Sequence, residues 1–386
     1  MTDDARLTIL VLRIDGIGDL VLSGPFLVQL RAAYPNAHII LAVSTAAGAL
    51  AARLTLVDEV VTAPDRRTRW FGRLRRLADR ERLVRRLQQR PIDLLIVPRW
   101  DFDYWGALRV ARRLHAPASV GFAEAAKSLR RPVFTRVVEA PMGEHEALKP
   151  LRLLPQGEQH GGEELKHPVW YSEADVAAAD ELLAHVDGPL IVFGIGAGEA
   201  RKVWPAERFA QTAVELCRAL RAVAVVVGGR TDRLAAARFA AIAPGCVDLT
   251  AGTPLPVVAA VIARSALFVG NDSGPMHLAA AAQVPVVEIS CHPRTGGTDH
   301  RYSPTRFGPI PGPAVSLQPP LPAAGCGPSC SAMEPHCILA TSVEEVVSAA
   351  TQLLSAQPGA GTLDRDGHAW AEQAPAVHGG RDDTDG

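Results

Sequence analysis

Three short segments carry residue types whose chemistry fits together. In the first, Arg13-Ile14-Asp15-Gly16-Ile17-Gly18-Asp19 follows an apolar run of strand length and opens a helical pattern. Gly16 and Gly18 let the main chain pass close to a ligand, and Asp19, near the positive end of a helix, stays ionised and oriented. A fixed carboxylate at a cleft edge accepts the proton of a hydroxyl as that oxygen attacks an electrophilic carbon, such as the anomeric carbon of a sugar. The same Gly-x-Gly-Asp spacing also suits a plain helix cap, and spacing alone does not choose between the two. A dinucleotide fingerprint is disfavoured, because the third glycine of that pattern would fall at Val21, whose side chain opposes close helix-to-strand packing.

The second segment, Gly194-Ile195-Gly196-Ala197-Gly198, is followed by Lys202. A glycine loop with Gly196 at its centre and a cation beyond it can hold a diphosphate, Lys202 acting as a point charge. The chain has four lysines against 36 arginines, so a lysine here invites a reason, the alternative being a solvated surface residue. In the third segment a strand runs into Gly270-Asn271-Asp272-Ser273-Gly274-Pro275-Met276-His277, with proline suited to a first helical turn. The amides of that turn and the Ser273 hydroxyl fit phosphate oxygens, and Asp272 fits sugar hydroxyls. His277, a turn further on, either faces the same pocket or is a structural helix histidine.

These segments need strand-turn-helix units to hold them. Candidate strands lie at Leu7–Leu12, His38–Val43 and Ile92–Val97, and a second series at Leu190–Gly194, Ala222–Val227, Ala266–Gly270 and Val284–Ile289. Apolar runs alternating with helical patterns indicate parallel α/β sheets, and the rhythm restarts halfway along the chain. The expected organisation is a Rossmann-like unit over 1–150, a linker over 151–188 with a helix from Ser172 to His185, and a second unit over 189–355. The second unit ends in an amphipathic closing helix from Thr341 to Leu354, and a disordered tail occupies 356–386.

At 386 residues two cores are the natural prior, and 48% hydrophobic with 21% charged residues argues for a folded soluble chain. A net charge of -1 gives no reason to expect nucleic acid as a partner. The acidic start and the short apolar run after it do not make a signal peptide, and no stretch approaches the roughly 20 apolar residues of a membrane span, so a cytoplasmic location is expected. From Asp65 to Arg90 eleven arginines accompany Trp70, Phe71, Leu74, Leu77, Val84 and Leu87 at helical spacing. Such a basic amphipathic helix either lies on an anionic membrane surface, meets phosphates of a lipid-linked acceptor, or packs its apolar stripe on the first unit.

The three ordered motifs resemble glycosyltransferase family 9, the heptosyltransferases, in Arg13 to Pro25, in Lys202-Val203-Trp204-Pro205 and in Asp272 to His277. The resemblance spans the chain to about Leu354. It implies the GT-B fold, two facing Rossmann-like domains with parallel sheets. It also implies inverting, metal-independent transfer of a sugar, typically heptose from an ADP-activated donor, to a lipopolysaccharide core or related glycan. By position, Asp19 becomes the general base, Lys202 a donor-phosphate contact, and Asp272, Ser273 and Gly274 the donor turn, with Asp232 a candidate for the nucleotide ribose. Arg13, Gly16 and Gly18 fall on the acceptor side. Arg99 and Asp101, in a stretch that departs from the best-known members along with Ser290 to Arg294, flank the same cleft. A nucleotide-sugar epimerase or hydrolase, or a non-catalytic nucleotide-sugar-binding assembly protein, would use the same fold. Cys326, Cys330, His336 and Cys337 resemble a cysteine-rich loop of the family. Four soft ligands suit zinc, but the irregular spacing favours reduced thiols or a local loop staple, so neither a metal nor a cofactor is expected.

Overall fold

The computed structural model describes residues 6–357 apart from 64–71, 104, 128–131, 156–164, 251, 328–329 and 331. The expected tail lies outside the described residues from 358 onward. Strands β1 (Thr8–Arg13), β2 (His38–Ser44), β3 (Glu59–Ala63), β4 (Leu94–Val97), β5 (Ala118–Phe122) and β6 (Arg136–Val138) form one sheet in the order β3-β2-β1-β4-β5-β6. Helices α1 (Ile17–Leu22), α2 (Gly24–Ala33), α3 (Gly48–Ala51), α4 (Gly72–Gln88), α5 (Ala107–Leu114) and α6 (Ala123–Ala126) connect its strands. After α7 (Glu173–Leu183) come β7 (Leu190–Gly194), β8 (Val223–Val227), β9 (Val247–Asp248), β10 (Leu267–Asn271), β11 (Val286–Ile289) and β12 (Ala314–Leu317). They form a second sheet in the order β12-β11-β10-β7-β8-β9. Its helices are α8 (Ala206–Leu220), α9 (Arg233–Ile242), α10 (Leu255–Ala263), α11 (Gly274–Ala281), α12 (Pro304–Phe307) and the closing α13 (Val343–Ser355).

Every strand pair in both sheets is parallel. Each sheet follows one plan: its first strand is central, the next two lie to one side and the last three to the other. In such a doubly wound sheet the chain reverses direction of winding between the first and fourth strands, and the loops leaving their carboxyl ends splay apart into a crevice. Those strand pairs are β1 with β4 and β7 with β10.

The central strands are buried throughout, as parallel strands covered on both faces must be. One apolar core runs through the first sheet and continues across α10 and α11 onto one face of the second, through Val192, Val225 and Phe268. A separate core on the other face joins Ile191, Phe193, Trp204 and Phe209 to Val346 and Ala350 of α13. The helix after β1 ends early because Pro25 cannot continue it and instead sits in the first turn of α2, while Ser23 bonds back to the Asp19 carbonyl through both its N–H (3.2 Å) and Oγ (2.9 Å). Ser172 caps α7, and Arg53 of the first half grips Asp175 in its first turn at 2.5 and 3.0 Å.

The strand at Ile92–Val97 proves to be the fourth, not the third. Glu59–Ala63 precedes it as a half-exposed strand beside β2, with no continuous apolar run to betray it. In α4, Leu83, Val84 and Leu87 are buried in the first core, so this part of the arginine-rich helix spends its apolar stripe on packing. Residues 65–71, including Trp70 and Phe71, lie outside the described residues, as do the side chains of Leu74 and Leu77. No helix among the described residues is long and apolar enough to cross a membrane.

Candidate active site

The first crevice opens between the loops after β1 and β4. Arg13 ends β1 fully buried, and its Nε donates to the Asp19 carbonyl at 3.0 Å, Nη1 to Asp15 at 3.1 Å and to the Pro98 carbonyl at 3.3 Å. Nη2 stands 3.6 Å from the Asp19 carboxylate. The other Asp15 oxygen pairs with Arg99 at 3.2 Å, and Arg99 pairs in turn with Asp101 at 2.7 Å. Opposite charges thus alternate from Asp19 to Asp101 and lace the two loops together. Arg13, expected on the acceptor side, is sealed beneath the surface against Asp15 and Asp19.

Asp19 occupies the third position of α1, and its Oδ2 accepts the Gly16 N–H at 2.9 Å, which is the helix-capping role. Capping does not consume the carboxylate, whose side chain keeps 27% of its exposure. Burial opposes its charge, but Arg13, Arg99 and the Gly16 N–H together hold the carboxyl below the usual carboxylate range. It is therefore an ionised, oriented proton acceptor at neutral pH.

The second crevice opens between the loops after β7 and β10, and Asn271 stitches it. This fully buried side chain accepts the Trp204 N–H at 2.9 Å and donates to the Ile195 carbonyl at 3.1 Å and the Gly196 carbonyl at 3.4 Å. The glycine loop, the Lys202 element and the turn before α11 are thereby locked together. Lys202 Nζ lies 2.6 Å from Asp272. Burial works against its charge, but Asp272 more than offsets this and holds the ammonium protonated beyond its ordinary range. Ser273 stands at the N-cap position of α11 without a side-chain capping bond, and its buried Oγ has no partner among the described residues. At the start of any helix the first amides lack intrahelical acceptors, so this turn presents donors to an anion. A Cβ on Gly196 would run into the Asp232 carboxylate, which also receives the Gly229 N–H at 2.8 Å. Asp232 therefore sits at the far rim of the glycine loop.

The two crevices meet. A Cβ on Gly18 would stand 2.7 Å from His277 Cδ2, and one on Gly274 would stand 2.6 Å from Ile17 Cγ2, so α1 and α11 pack start against start with glycines at the contact. His277 is buried here, 3.8 Å from Asp272, and burial pushes its imidazole down to about 4, leaving it neutral. Asp19 from one half and the Lys202, Asp272 and Ser273 cluster from the other thus face one junction.

Three features escaped the sequence. Asn271 was legible only as a polar residue closing an apolar strand. Arg306, on α12, is buried between Glu146 at 2.6 Å and Asp101 at 3.0 Å, joining the second half to the end of the charge chain of the first. Glu288, on β11, accepts from Ser316, and burial together with Asp272 raises its carboxyl to about 8.

Comparison with known proteins follows the geometry. A family model described as glycosyltransferase family 9 (heptosyltransferase) matches residues 80–299. The glycosyl transferase family 9 structure from Veillonella parvula DSM 2008 shares 25% identity, covering 92% of this chain and 98% of that one, with a TM-score of 0.72. The E. coli ADP-heptose LPS heptosyltransferase II shares 20% identity over 90% of this chain and 98% of its own, with a TM-score of 0.68. The E. coli heptosyltransferase WaaC with ADP shares 20% over 81% and 94%, at 0.60. No curated protein matches the chain in sequence. The architecture is the GT-B fold.

Proposed function

Since the chain belongs to glycosyltransferase family 9, the heptosyltransferase family, and is a glycosyltransferase, we propose that it moves a heptose from ADP-heptose onto a lipopolysaccharide-core or related cell-surface acceptor with inversion. The observation that carries this reading is the junction of α1 and α11, which brings a held, ionised carboxylate and an anion-binding turn to the same place from opposite halves. In the proposed reaction the acceptor hydroxyl enters from the first crevice and Asp19 takes its proton as the oxygen attacks the anomeric carbon. The diphosphate leaves toward Lys202 and the amides of the Ser273-Gly274 turn, which are already aimed where negative charge develops. Asp272 keeps Lys202 charged and placed, and Asp232 is assigned to the nucleotide ribose. A single displacement on the face opposite the leaving group inverts the anomeric centre. No cofactor has a part in this scheme.

The exposed Arg85 and Arg86 of α4 are assigned to phosphates of a lipid-linked acceptor at the inner face of the cytoplasmic membrane. Donor identity is tested by thermal shift against ADP-, GDP-, UDP- and dTDP-sugars, since a ligand of the folded state raises apparent stability. An ADP-sugar preference is expected, and a UDP-sugar preference would overturn heptose. Turnover is tested with ADP-heptose and a core acceptor, reading the product anomer by NMR. Asp19→Asn should lower kcat by about 100- to 10,000-fold with donor affinity unchanged, and undiminished turnover in that folded variant would remove Asp19 from its role.

A further inference from the structure

Between β12 and α13 the chain gathers three thiols and an imidazole that the proposed reaction does not use. The sulfurs of Cys326 and Cys330 and a ring nitrogen of His336 all lie within 4.8 Å of one another. Cys330 Sγ is 3.0 Å from His336 Nε2, so the ring is turned into the thiol cluster. Cys337, next in the chain to His336, is buried, and its sulfur accepts the Ala323 N–H at 3.3 Å. All four residues are partly or fully buried, and their cysteines are free thiols.

We propose that Cys326, Cys330, His336 and Cys337 form a structural zinc site that fixes the segment before the closing helix. Three thiolates and one imidazole make a soft, closed, four-ligand set of the kind structural zinc takes, with no position left for a reacting water. Zinc-to-ligand lengths of about 2.0–2.3 Å in a tetrahedron put neighbouring donor atoms roughly 3.5–3.8 Å apart. The donors of Cys326, Cys330 and His336, already within 4.8 Å of one another, need to close by only about 1 Å, and Cys337 beside His336 is the fourth donor of the proposed set. Zinc takes cysteine as the thiolate, so loading the site releases the thiol protons.

The position of the site gives it a purpose. The Cys330 carbonyl accepts a hydrogen bond from Arg201, the neighbour of Lys202. On the other side of the site, the Thr341 carbonyl accepts from Trp204 Nε1 at 3.1 Å and from Arg208 at 2.9 Å. The segment carrying the four ligands therefore braces the Lys202 element from both sides, and the metal would hold the brace without entering the chemistry.

The full-length protein is prepared under reducing conditions, its metal content measured, and Zn2+ added back after chelation. About one zinc per chain, proton release on binding and a rise in Tm are expected. Replacing zinc with Co2+ should give a thiolate-to-cobalt charge-transfer band and the intense visible bands of a tetrahedral ion. Cys326→Ser and Cys330→Ser should lose stoichiometric metal, and His336→Ala should weaken it, whereas Cys217→Ser should not. Should the cysteine variants fail to fold, the cobalt spectrum of the unaltered chain still decides the matter. A folded protein that takes up neither ion, or mass spectrometry showing a disulfide among Cys326, Cys330 and Cys337 under those conditions, would overturn the proposal.

Discussion

Gly18 and His277 touch across the two halves of the molecule so closely that a single methyl group on Gly18 would lie 2.7 Å from the imidazole Cδ2. Each residue belongs to the helix that leaves a central crevice, so their contact sets the separation between the Asp19 carboxylate and the turn that opens α11. A glycine in this helical position is therefore a spacing device. Its backbone freedom is incidental.

Gly18→Ala should overpack this contact. Insertion of a methylene-sized group into a close-packed site costs about 1–3 kcal/mol, partly offset by roughly 1 kcal/mol of improved helix propensity. The diagnostic measurement is a double-mutant cycle with His277→Ala by chemical denaturation, because trimming the imidazole makes room for the new methyl. The pair should be more stable than the sum of the singles by about 1 kcal/mol or more. Strict additivity would mean that the helices do not meet in solution as described.

Lys202→Met removes the partner of Asp272 and leaves an uncompensated carboxylate facing the donor turn, with a pairing distance of 2.6 Å lost. Truncating the cation that meets a desolvated ligand charge costs about 2–5 kcal/mol of binding, so with Lys202 against the diphosphate the Kd for ADP by calorimetry should rise about 30- to 5,000-fold. Adding Asp272→Asn should recover part of the affinity by removing the stranded anion. An ADP affinity within twofold of the unaltered protein would take Lys202 out of the donor site.

The parallel strands and the two glycine loops were legible because each is a local pattern. Leu190–Gly194 is an apolar run that stops at glycines, and the observed strand has those same limits. The turn at Asp272 to Pro275 announces a helix start through Ser273 and Pro275, and α11 begins at Gly274. What escaped was set by tertiary context. Arg13 is expected on the acceptor side, and only the fold shows it sealed between Asp15 and Asp19. Asp101 is expected only to flank the cleft, and the fold shows it shared by Arg99 and Arg306. The three-residue edge strand Arg136–Val138 carries too little periodicity for any pattern to find.

Acid should destabilise the protein well above the carboxylate range. Burial first of all pushes His145 down to about 3 and His167 and His277 to about 4. At His145 the Nδ1 accepts the Ala147 N–H at 3.2 Å, while Nε2 faces the Gly308 carbonyl at 2.9 Å, an arrangement that suits one neutral tautomer. Since these folded values lie below the unfolded value of about 6.5, the unfolded chain takes up the protons first as pH falls. The contribution is complete above about 6.5 and is lost toward the folded values, with a limiting slope of about 4 kcal/mol per pH unit for three protons. Urea unfolding between pH 7.5 and 5 should show this steepening, and His145→Gln should remove about a third of it. A flat stability across that window would contradict neutral buried imidazoles.

Arg306 offers the strictest test of how the halves are joined. Its guanidinium is 2% exposed, bonds Glu146 at 2.6 and 2.9 Å, Asp101 at 3.0 Å and the Asp299 carbonyl at 2.8 Å, and lies 4.7 Å over the Trp100 ring. Lys149, also buried, holds the same Glu146 oxygen at 3.0 Å, so this carboxylate would keep one cation if Arg306 were lost, but among the described residues Asp101 would keep only Arg99. Removing one partner of buried charges costs about 3–5 kcal/mol, and Arg306→Gln should lower stability by that order. Arg306→Lys should recover only part, because an ammonium cannot reach Glu146, Asp101 and the Asp299 carbonyl at once as the planar fork does. Asp101 continues through Arg99 and Asp15 to Arg13 and Asp19, so a second consequence is expected at the reacting end of the chain. With the charge chain slackened, kcat should fall in Arg306→Lys by more than the folded fraction accounts for, while the Kd for ADP stays put. A loss of stability with kcat per folded molecule unchanged would make Arg306 a purely structural clamp and break the link to Asp19.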